Sequence, residues 1–306
     1  MTELELLKTL KNGLLEVNPN IEDSKQYFGH TNPNWKNSEK AQNYYLFSME
    51  NNLYKNIKPK FNLGSGSNAV RSSAAMIYNT LYLRNLKDKI IFDGAEFRGY
   101  EPIYEIPFPA IKDDEESTHT AKLDAGLISF PDENILLLFE AKCMEWFDKK
   151  PKSLKKAYLN CKRYLSKESA SIFIPLFKEF VQYEEGSTEY KPKTIRYDSI
   201  QMLIHILGIY NKCLEKKIRG KQIRLINLVW DYECVEYHEE EKEGEQFVKF
   251  ANQLLQKEFN LLGVGFCVEY VRYSDFLNHI DWTNDIEHWN YLARYDVKRL
   301  LREEFQ

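Results

Sequence analysis

The feature that most constrains the fold is a short, nearly continuous apolar run, ILLLFEA at residues 135–141, which directly follows the turn residues PDEN. A run of this length bounded by turn residues is typical of a strand that is buried on both faces of a sheet. The preceding segment, AKLDAGLIS at 121–129, also has the pattern of a strand. Residues 121–142 therefore predict a β-hairpin inside a sheet, and a sheet with two buried faces requires helices on both sides.

The rest of the chain alternates between helical and strand patterns. Apolar residues at helical spacing predict helices at 3–17, 38–52, 69–86, 153–167, 195–216, 245–260 and 284–304. Runs of strand-forming residues predict further strands at 100–107, 222–231 and 264–273. The sequence shows no internal repeat, low-complexity tract or linker. It therefore predicts a single α/β domain over 1–306, with a mixed central sheet flanked by helices and with extra N-terminal helices.

The composition is that of a folded protein without a strongly basic character. Hydrophobic residues make up 43% and charged residues 29% of the chain, which is ordinary for a globular protein. With 42 Lys and Arg against 46 Asp and Glu, the net charge is −4, which argues against a dedicated nucleic-acid-binding protein. It does not argue against a nuclease, because a metal site needs carboxylates and only the local distribution of basic residues decides contact with phosphates.

The cysteines and the N-terminus indicate a cytoplasmic protein. The five cysteines form no CxxC pair, which favours reduced thiols over a disulfide framework or a structural zinc. The first residues, MTELELLKTLKNGLLEV, are amphipathic and acidic and lack the pattern of a signal peptide. Since no apolar run approaches the ~20 residues that a membrane helix needs, we expect no membrane partner.

Three charged side chains are predicted to meet where the hairpin strands come together. Residues i and i+2 of a strand point to the same face, so Glu140 and Lys142 project together, and a turn at PDEN brings Asp124 alongside them. Two carboxylates suit Mg²⁺ or Mn²⁺, with the Ala141 carbonyl as a candidate third ligand. Beside such a metal, a lysine can orient or deprotonate the attacking water, or offset the charge that develops on a phosphate. A solvated strand end is the alternative, because E-x-K is a short pattern.

The segments LDAGL and ILLLFEAK resemble the core of the PD-(D/E)XK nuclease superfamily, and the hydrophobic-E-A-K form resembles restriction-endonuclease-like bacterial proteins. In that superfamily the Asp and Glu bind metal and the Lys assists the water, which by resemblance gives these roles to Asp124, Glu140 and Lys142. Leu123 precedes Asp124 in place of the proline of the family name, and that proline is frequently absent. The resemblance implies a restriction-endonuclease-like fold and magnesium-dependent phosphodiester hydrolysis, with DNA as the expected substrate.

The same resemblance suggests a setting in bacterial defence or DNA processing. It leaves open whether the substrate is DNA or RNA, and whether the protein acts alone or as a homodimer. Segment 197–211, YDSIQMLIHILGIYN, is similar to the helix that offers a polar residue to the site after the E-A-K strand. Gln201 is the candidate, and His205 lies on the same helix face, where a buried core histidine is an equal alternative. The resemblance divides the domain into a helical N-terminal extension at 1–67, a nuclease core at 68–232 and a C-terminal completion at 233–306.

A second helix carries a departure from the family pattern. Segment 71–83, RSSAAMIYNTLYL, resembles the helix before the core sheet, where many relatives carry a glutamate. No glutamate stands in this segment. The candidates for its replacement are Ser73 and Asn79 in the helix and Glu105 in the following strand, although a solvated strand residue is the simpler interpretation of Glu105.

Charge runs give weaker indications of function. The acidic run HEEEKEGE at 238–245 is typical of a solvated face at a helix start. Two basic groups are equally compatible with phosphate contact and with simple solvation. They are Lys142, Lys149, Lys150, Lys152, Lys155, Lys156, Lys162 and Arg163, and then Lys216, Lys217, Arg219, Lys221 and Arg224.

Two other classes of function remain open. A non-catalytic binding module with the same fold fits the acidic balance and the missing helix glutamate, whereas the intact trio of Asp124, Glu140 and Lys142 favours a nuclease. A different hydrolase that uses carboxylates would act on small substrates and not on DNA.

Overall fold

The computed structural model describes residues 3–17, 73–81, 89–98, 102–112, 118–148 and 151–280, together with Leu292 and Tyr295. Within these residues the helices are α1 (Glu3–Val17), α2 (Ser73–Leu81), α3 (Glu145–Asp148), α4 (Lys167–Phe180), α5 (Ser199–Leu214), α6 (Val235–Leu261) and α7 (Tyr273–Leu277). The strands are β1 (Lys89–Phe92), β2 (Ala95–Arg98), β3 (Ile103–Lys112), β4 (Thr118–Phe130), β5 (Ile135–Lys142), β6 (Leu154–Lys155), β7 (Glu189–Tyr190), β8 (Gln222–Val229) and β9 (Gly265–Arg272).

Seven of these strands form one mixed sheet in the order β1-β2-β4-β5-β8-β9, and β3 also pairs with β4. β4 and β5 are antiparallel, whereas β5 and β8, and then β8 and β9, are parallel. The long β4 pairs with β3 along its first part and with β2 at its end. The predicted α/β class, with a mixed central sheet flanked by helices, is confirmed.

The sheet separates two apolar cores. On one face, α2 and α7 pack against the sheet, and α1 contributes to the same buried cluster, which includes Met76 and Phe139. On the other face, α5 and α6 pack against the sheet and α4 packs on α5, with Ile206 and Leu138 in the second cluster. Because neighbouring residues of β5 belong to opposite cores, the prediction that 135–141 is buried on both faces is confirmed.

The predicted hairpin over 121–142 is confirmed as β4 and β5. Their register places Ala125 opposite Phe139. The regular pairing of the two strands ends there, and Asp124 and Glu140, the next residues toward the open end of the hairpin, both line one cavity.

The helix predicted at 153–167 is wrong. This segment contains β6 and two 3-10 turns, and the helix, α4, begins only after it. Leu154 and Tyr158 are buried as the helical pattern requires, but they belong to different short elements. The Asn160 side chain accepts a backbone N–H of the second 3-10 turn, and the Ser166 side chain caps α4. Side chains that bond to the nearby backbone favour turns and caps over a continuous helix.

The structure also extends the predictions in two places. The helix expected at 245–260 already begins at Val235, so the acidic run 238–245 lies inside α6. The β1–β2 hairpin was not foreseen. Its turn is formed by Asp93 and Gly94, with φ of 47° and 79°, the pattern of a two-residue hairpin turn.

The remaining elements agree with the predicted types where the structure describes them. The helices at 3–17 and 195–216 are confirmed as α1 and α5, and the strands at 100–107, 222–231 and 264–273 as β3, β8 and β9. Of the helix predicted at 69–86, α2 lies within the described residues. The helix predicted at 38–52, and all of 284–304 except Leu292 and Tyr295, lie outside them. None of the described helices is long and apolar enough to cross a membrane.

Candidate active site

A polar cavity of about 400 Å³ opens beside the C-terminal end of β5. Its walls come from β4, β5, β8, the start of α5 and the first part of α6. Its acidic lining residues are Asp124, Glu140, Glu145, Asp198 and Glu240, and its basic ones are Lys142, Lys152 and Arg196. The structure therefore brings the three predicted core residues and Gln201 into one cavity.

Asp124 is tied to the neighbouring strand by its carboxylate. Its Oδ2 accepts the backbone N–H of Ala141 at 2.7 Å. Burial, and then the negative charge of Glu140, raise the pKa of Asp124 well above its ordinary value, against the opposing effects of the Ala141 N–H and Lys142. Two carboxylates that disfavour each other's charge in a buried position form a place where a cation is stabilised.

Glu140 has three polar side-chain partners in the fold and is 3% exposed. Its Oε1 accepts hydrogen bonds from Lys142 Nζ at 2.7 Å and from Gln201 Nε2 at 2.6 Å, while Oε2 lies 3.1 Å from His205 Nε2. Burial by itself would raise the pKa of Glu140, but Lys142 and His205 outweigh it and lower the pKa to about 2. Glu140 is therefore ionised at neutral pH, and both oxygens already accept from donors of its own chain.

Lys142 is held as a cation. Its side chain is 16% exposed and faces the same cavity as Glu140. Burial by itself would lower the pKa of Lys142, but the charges of Glu140 and Glu145 outweigh it and raise the pKa above the ordinary value. Of the two roles that the sequence left open for Lys142, this environment favours the positive charge over the base, because a lysine with a raised pKa keeps its proton.

Gln201 links the buried trio to the mouth of the cavity. Its Nε2 donates to Glu140, and its Oε1 accepts from Lys142 Nζ at 3.1 Å and from Lys152 Nζ at 3.2 Å. Lys152 is exposed, whereas Lys142 lies deeper. Two ammonium groups that share one neutral oxygen repel each other, so this side of the cavity suits an anion.

The position of Gln201 is set by both the start and the middle of α5. Asp198 caps the helix and accepts the Gln201 N–H at 3.1 Å. Further along, α5 approaches β3 so closely at Gly208 that a Cβ there would lie 2.6 Å from Cβ of Phe108. A glycine is therefore required for the helix to lie where Gln201 reaches Glu140.

Only one of the three candidates for the missing helix glutamate lines the cavity. Ser73, at the start of α2, does so, and its hydroxyl donates to Glu145 Oε1 at 3.2 Å. Asn79 is 1% exposed and is not among the lining residues. Glu105 also lies outside the lining and forms an ion pair with Lys122 at 3.7 Å.

Sequence reasoning missed five polar residues of the cavity, which are Glu145, Arg196, Asp198, Asn227 and Glu240. Glu145 follows the E-A-K strand, and its Oε2 accepts two backbone N–H groups at 2.7 and 3.1 Å. Asn227 donates from β8 to the Glu140 carbonyl at 3.1 Å, and a buried asparagine in the apolar strand QIRLINLV was a signal for it. Glu240 lies in the acidic run that was interpreted as solvated, where nothing in the sequence distinguishes it from its neighbours. That interpretation is wrong for Glu240, which is 3% exposed.

The donor set offered to a metal consists of oxygens alone. Because the Ala141 N–H faces Asp124, and the N–H and C=O of a residue in an extended strand point to the same side, the Ala141 carbonyl also faces this side. Among the described residues, no group of three or more His, Cys, Asp or Glu side chains is arranged to hold a metal ion. A site here would depend on two carboxylates, one main-chain oxygen and water, a coordination that Mg²⁺ accepts.

The two basic groups differ in their surroundings. In the first, Lys149 and Lys150 lie outside the described residues, and Lys152 reaches the cavity. In the second, Arg224 pairs with two carboxylates and Lys217 with one. The first group is therefore the better candidate for contact with an anionic substrate.

Comparisons with protein-family models, with curated proteins and with solved structures found no match for the chain. Its chemistry is therefore inferred from the cavity itself.

Proposed function

We propose that the protein is a metal-dependent nuclease of the restriction-endonuclease-like kind, which hydrolyses phosphodiester bonds in DNA. The observation that carries this proposal is the convergence of three side chains in one cavity. Asp124 is bonded across the strands to the Ala141 N–H at 2.7 Å, and Lys142 Nζ lies 2.7 Å from Glu140. Paired carboxylates with a fixed cation beside them are the parts that metal-assisted phosphodiester hydrolysis requires.

Asp124, Glu140 and the Ala141 carbonyl would hold Mg²⁺ or Mn²⁺. The raised pKa of Asp124 supports this assignment, because a buried carboxyl beside a carboxylate gains most from a nearby cation. When bound, the metal would supply positive charge to a phosphate oxygen and to the attacking water. Both Glu140 oxygens already accept hydrogen bonds, so Lys142 and Gln201 have to share this carboxylate with the cation.

Lys142 and its neighbours act on the phosphate. Since Lys142 keeps its proton, it offsets the negative charge that grows on the phosphate oxygens as the bond breaks. Gln201 holds Lys142 Nζ at 3.1 Å and Glu140 at 2.6 Å, which fixes the relative position of the cation and the carboxylate. Lys152, at the mouth, is the second positive charge that an incoming phosphate meets.

The test is cleavage of supercoiled plasmid in Mg²⁺ by the wild type, Lys142→Ala and Lys142→Arg, with thermal melts of each. We expect the alanine variant to melt at a lower temperature, because buried Glu140 loses its ion-pair partner. At temperatures where the variant is fully folded, its cleavage rate should fall by about 10²–10⁴, the range for loss of one charged group that acts on the transition state. Because the role assigned to Lys142 needs charge and not basicity, Lys142→Arg should retain more activity than Lys142→Ala. Cleavage by Lys142→Ala at the wild-type rate would exclude the proposal.

A control is available on α6. Lys257 is exposed, belongs to neither basic group and does not line the cavity. Lys257→Ala should therefore cleave at the wild-type rate, which separates loss of a catalytic charge from a general loss of positive surface charge.

The second candidate function is a binding module with this fold and no catalysis. It is favoured by the surroundings of Glu140, whose two oxygens both already have partners in Lys142, Gln201 and His205. Such a protein would bind DNA without cutting it in Mg²⁺ or Mn²⁺. Retained DNA binding by a wild type that never cleaves would select this function over the nuclease.

A further inference from the structure

The first part of α6 contributes one buried carboxyl group to the cavity wall. Glu240 is 3% exposed and lines the cavity together with Lys142 and Asn227. None of the described lysine, arginine or histidine side chains forms a salt bridge with it. A buried carboxyl without a paired cation favours its neutral, protonated form.

The acidic neighbours of Glu240 have partners of other kinds. Glu239 pairs with Arg196 at 2.7 Å, and Glu241 forms a bidentate pair with Arg272. These two side chains are thus used to hold α6 to the rest of the fold, whereas Glu240 is directed to the cavity.

A tyrosine of β9 fixes the Glu240 carboxyl. The Tyr270 hydroxyl donates a hydrogen bond to Glu240 Oε2, and no described residue bonds to Oε1. The two elements touch at Gly244, where a Cβ would lie 2.5 Å from Cδ2 of Tyr270. With Tyr270 donating to one oxygen, the other oxygen is the one that can carry a proton and donate it into the cavity.

The surroundings keep that proton on Glu240 at neutral pH. Burial raises the pKa of Glu240 to about 8, although the hydrogen bond from Tyr270 and the charge of Lys142 oppose the shift. The charged and titratable groups that face it are Lys142 on β5, Tyr270 on β9, Arg196 and Tyr197 before α5, and Glu241 and Glu243 on its own helix.

We propose that Glu240 is the general acid of the cavity and protonates the leaving oxygen of the phosphodiester. This inference rests on the proposed nuclease function and adds a group for which the Asp124–Glu140–Lys142 trio has no equivalent. With the metal bound, Asp124 and Glu140 would be its ligands, so neither carboxyl group of the trio would be left as a proton donor.

The step balances in atoms and electrons. Water adds to phosphorus, the bond from phosphorus to the leaving oxygen breaks, and its electron pair remains on that oxygen. The Glu240 carboxyl gives its proton to the leaving oxygen, which becomes a hydroxyl group. The attacking water releases one proton to solvent, and the Glu240 carboxylate takes one back from solvent, which restores the starting state.

The variant for the test is Glu240→Gln. An amide keeps the size of the side chain and an oxygen that accepts from Tyr270, but it is no proton donor of comparable acidity. Glu245→Gln is the matched control, because Glu245 is exposed on the same helix outside the cavity lining. Thermal melts of both variants should match the wild type.

The measurement compares two leaving groups. A duplex oligonucleotide containing a site that the wild type cuts in plasmid is made with either oxygen or sulfur at the leaving bridging position. A thiolate leaves without protonation, so a general acid matters for the oxygen substrate alone. We expect Glu240→Gln to lower kcat about 10²-fold or more on the oxygen substrate and to change it little on the sulfur substrate. Glu245→Gln should leave both rates unchanged.

The outcomes separate the two proposals. A wild type that cuts neither plasmid nor oligonucleotide removes the nuclease function, and the role of Glu240 falls with it. If the wild type cuts, and Glu240→Gln is equally slow on both substrates or unaffected on both, the proposed role of Glu240 is overturned and the nuclease function stands.

If Glu240→Gln fails to fold, Glu240→Asp serves instead. It keeps an acid on a shorter side chain, and a rate loss confined to the oxygen substrate is again the supporting result.

Discussion

Asp124 and Glu140 are neighbours across two strands and yet have pKa values shifted in opposite directions. The difference lies in their partners. Lys142 and His205 lie beside Glu140 and lower its pKa against the effect of burial. For Asp124, burial and the negative charge of Glu140 both raise the pKa. The pair therefore carries one charge more easily than two until a cation is added.

Substitution of Asp124 by Asn should stabilise the protein in the presence of a chelator. Because the folded-state pKa of Asp124 is raised, the folded protein binds this proton more tightly than the unfolded chain. The resulting stability is complete below the ordinary carboxyl pKa and is lost as the pH rises through the raised value. An amide keeps the neutral form, and its oxygen can still accept the Ala141 N–H.

We therefore expect Asp124→Asn to raise Tm by about 2–4 °C at pH 8, with the gain disappearing near pH 4. The same variant should bind Mn²⁺ more weakly in calorimetry. Thermal melts from pH 4 to pH 8 with EDTA check the sign, and a Tm below that of the wild type at pH 8 would contradict the proposed state of Asp124.

At the scale of residues, the sequence predicts those members of the site that short-range patterns of the chain bring together. Asp124, Glu140 and Lys142 follow from the two-residue period of a strand and one hairpin turn. Gln201 required the resemblance to a known helix. Glu240 could not be predicted from the sequence. The packing of β9 against α6 decides which glutamate of the acidic run is buried, and the residues of the run itself do not indicate where β9 packs.

At the scale of elements, α5 places Gln201 through its close approach to β3. A methyl group at Gly208 would meet Cβ of Phe108 at 2.6 Å and the Phe108 carbonyl oxygen at 3.1 Å. A backbone atom cannot move aside as a flexible side chain can, so the helix itself would shift.

Gly208→Ala should therefore destabilise the protein by about 1–3 kcal/mol, although alanine favours a helix more than glycine does. It should also lower plasmid cleavage at temperatures where the variant is fully folded, since Gln201 would lose its position. Urea denaturation and cleavage assays measure the two effects, and a variant that is more stable than the wild type would show that α5 has room at this position.

Elements were predictable where one periodic pattern dominates a long segment. The apolar stripe of α5 and the alternation in β9 are of this kind. The helix predicted at 153–167 was wrong because Leu154 and Tyr158 have helical spacing, whereas the side chains of Asn160 and Ser166 bond to the nearby backbone and favour turns. The β1–β2 hairpin was not predicted because each strand has only four residues, too few to show the alternation of apolar and polar residues that marks a strand. Its Asp-Gly turn was visible in the sequence.

At the scale of the whole molecule, the net charge of −4 conceals a local distribution of positive charge. Lys152 extends the cavity outward, whereas Lys217 in the second basic group is paired with Glu215 at 2.7 Å. Binding of a polyanion should therefore depend on the first group and less on the second, whatever the overall charge.

Lys152→Ala should make DNA binding less dependent on salt. With Ca²⁺ in place of Mg²⁺ to prevent cleavage, the slope of log affinity against log salt concentration should fall by about one, the loss of one phosphate contact. Lys217→Ala is the control and should leave the slope unchanged. Equal slopes for wild type and Lys152→Ala would show that phosphates do not reach the mouth of the cavity.

The pairing of β8 with β9 has a consequence for shortened forms of the protein. A chain ending at residue 232 keeps Asp124, Glu140, Lys142 and Gln201, yet it loses β9 and α6. Its β8 would then present a full-length row of unsatisfied backbone N–H and C=O groups to solvent, flanked by apolar side chains. Such an edge recruits further strands from other molecules. The shortened protein would therefore self-associate into aggregates instead of remaining a smaller, separate molecule.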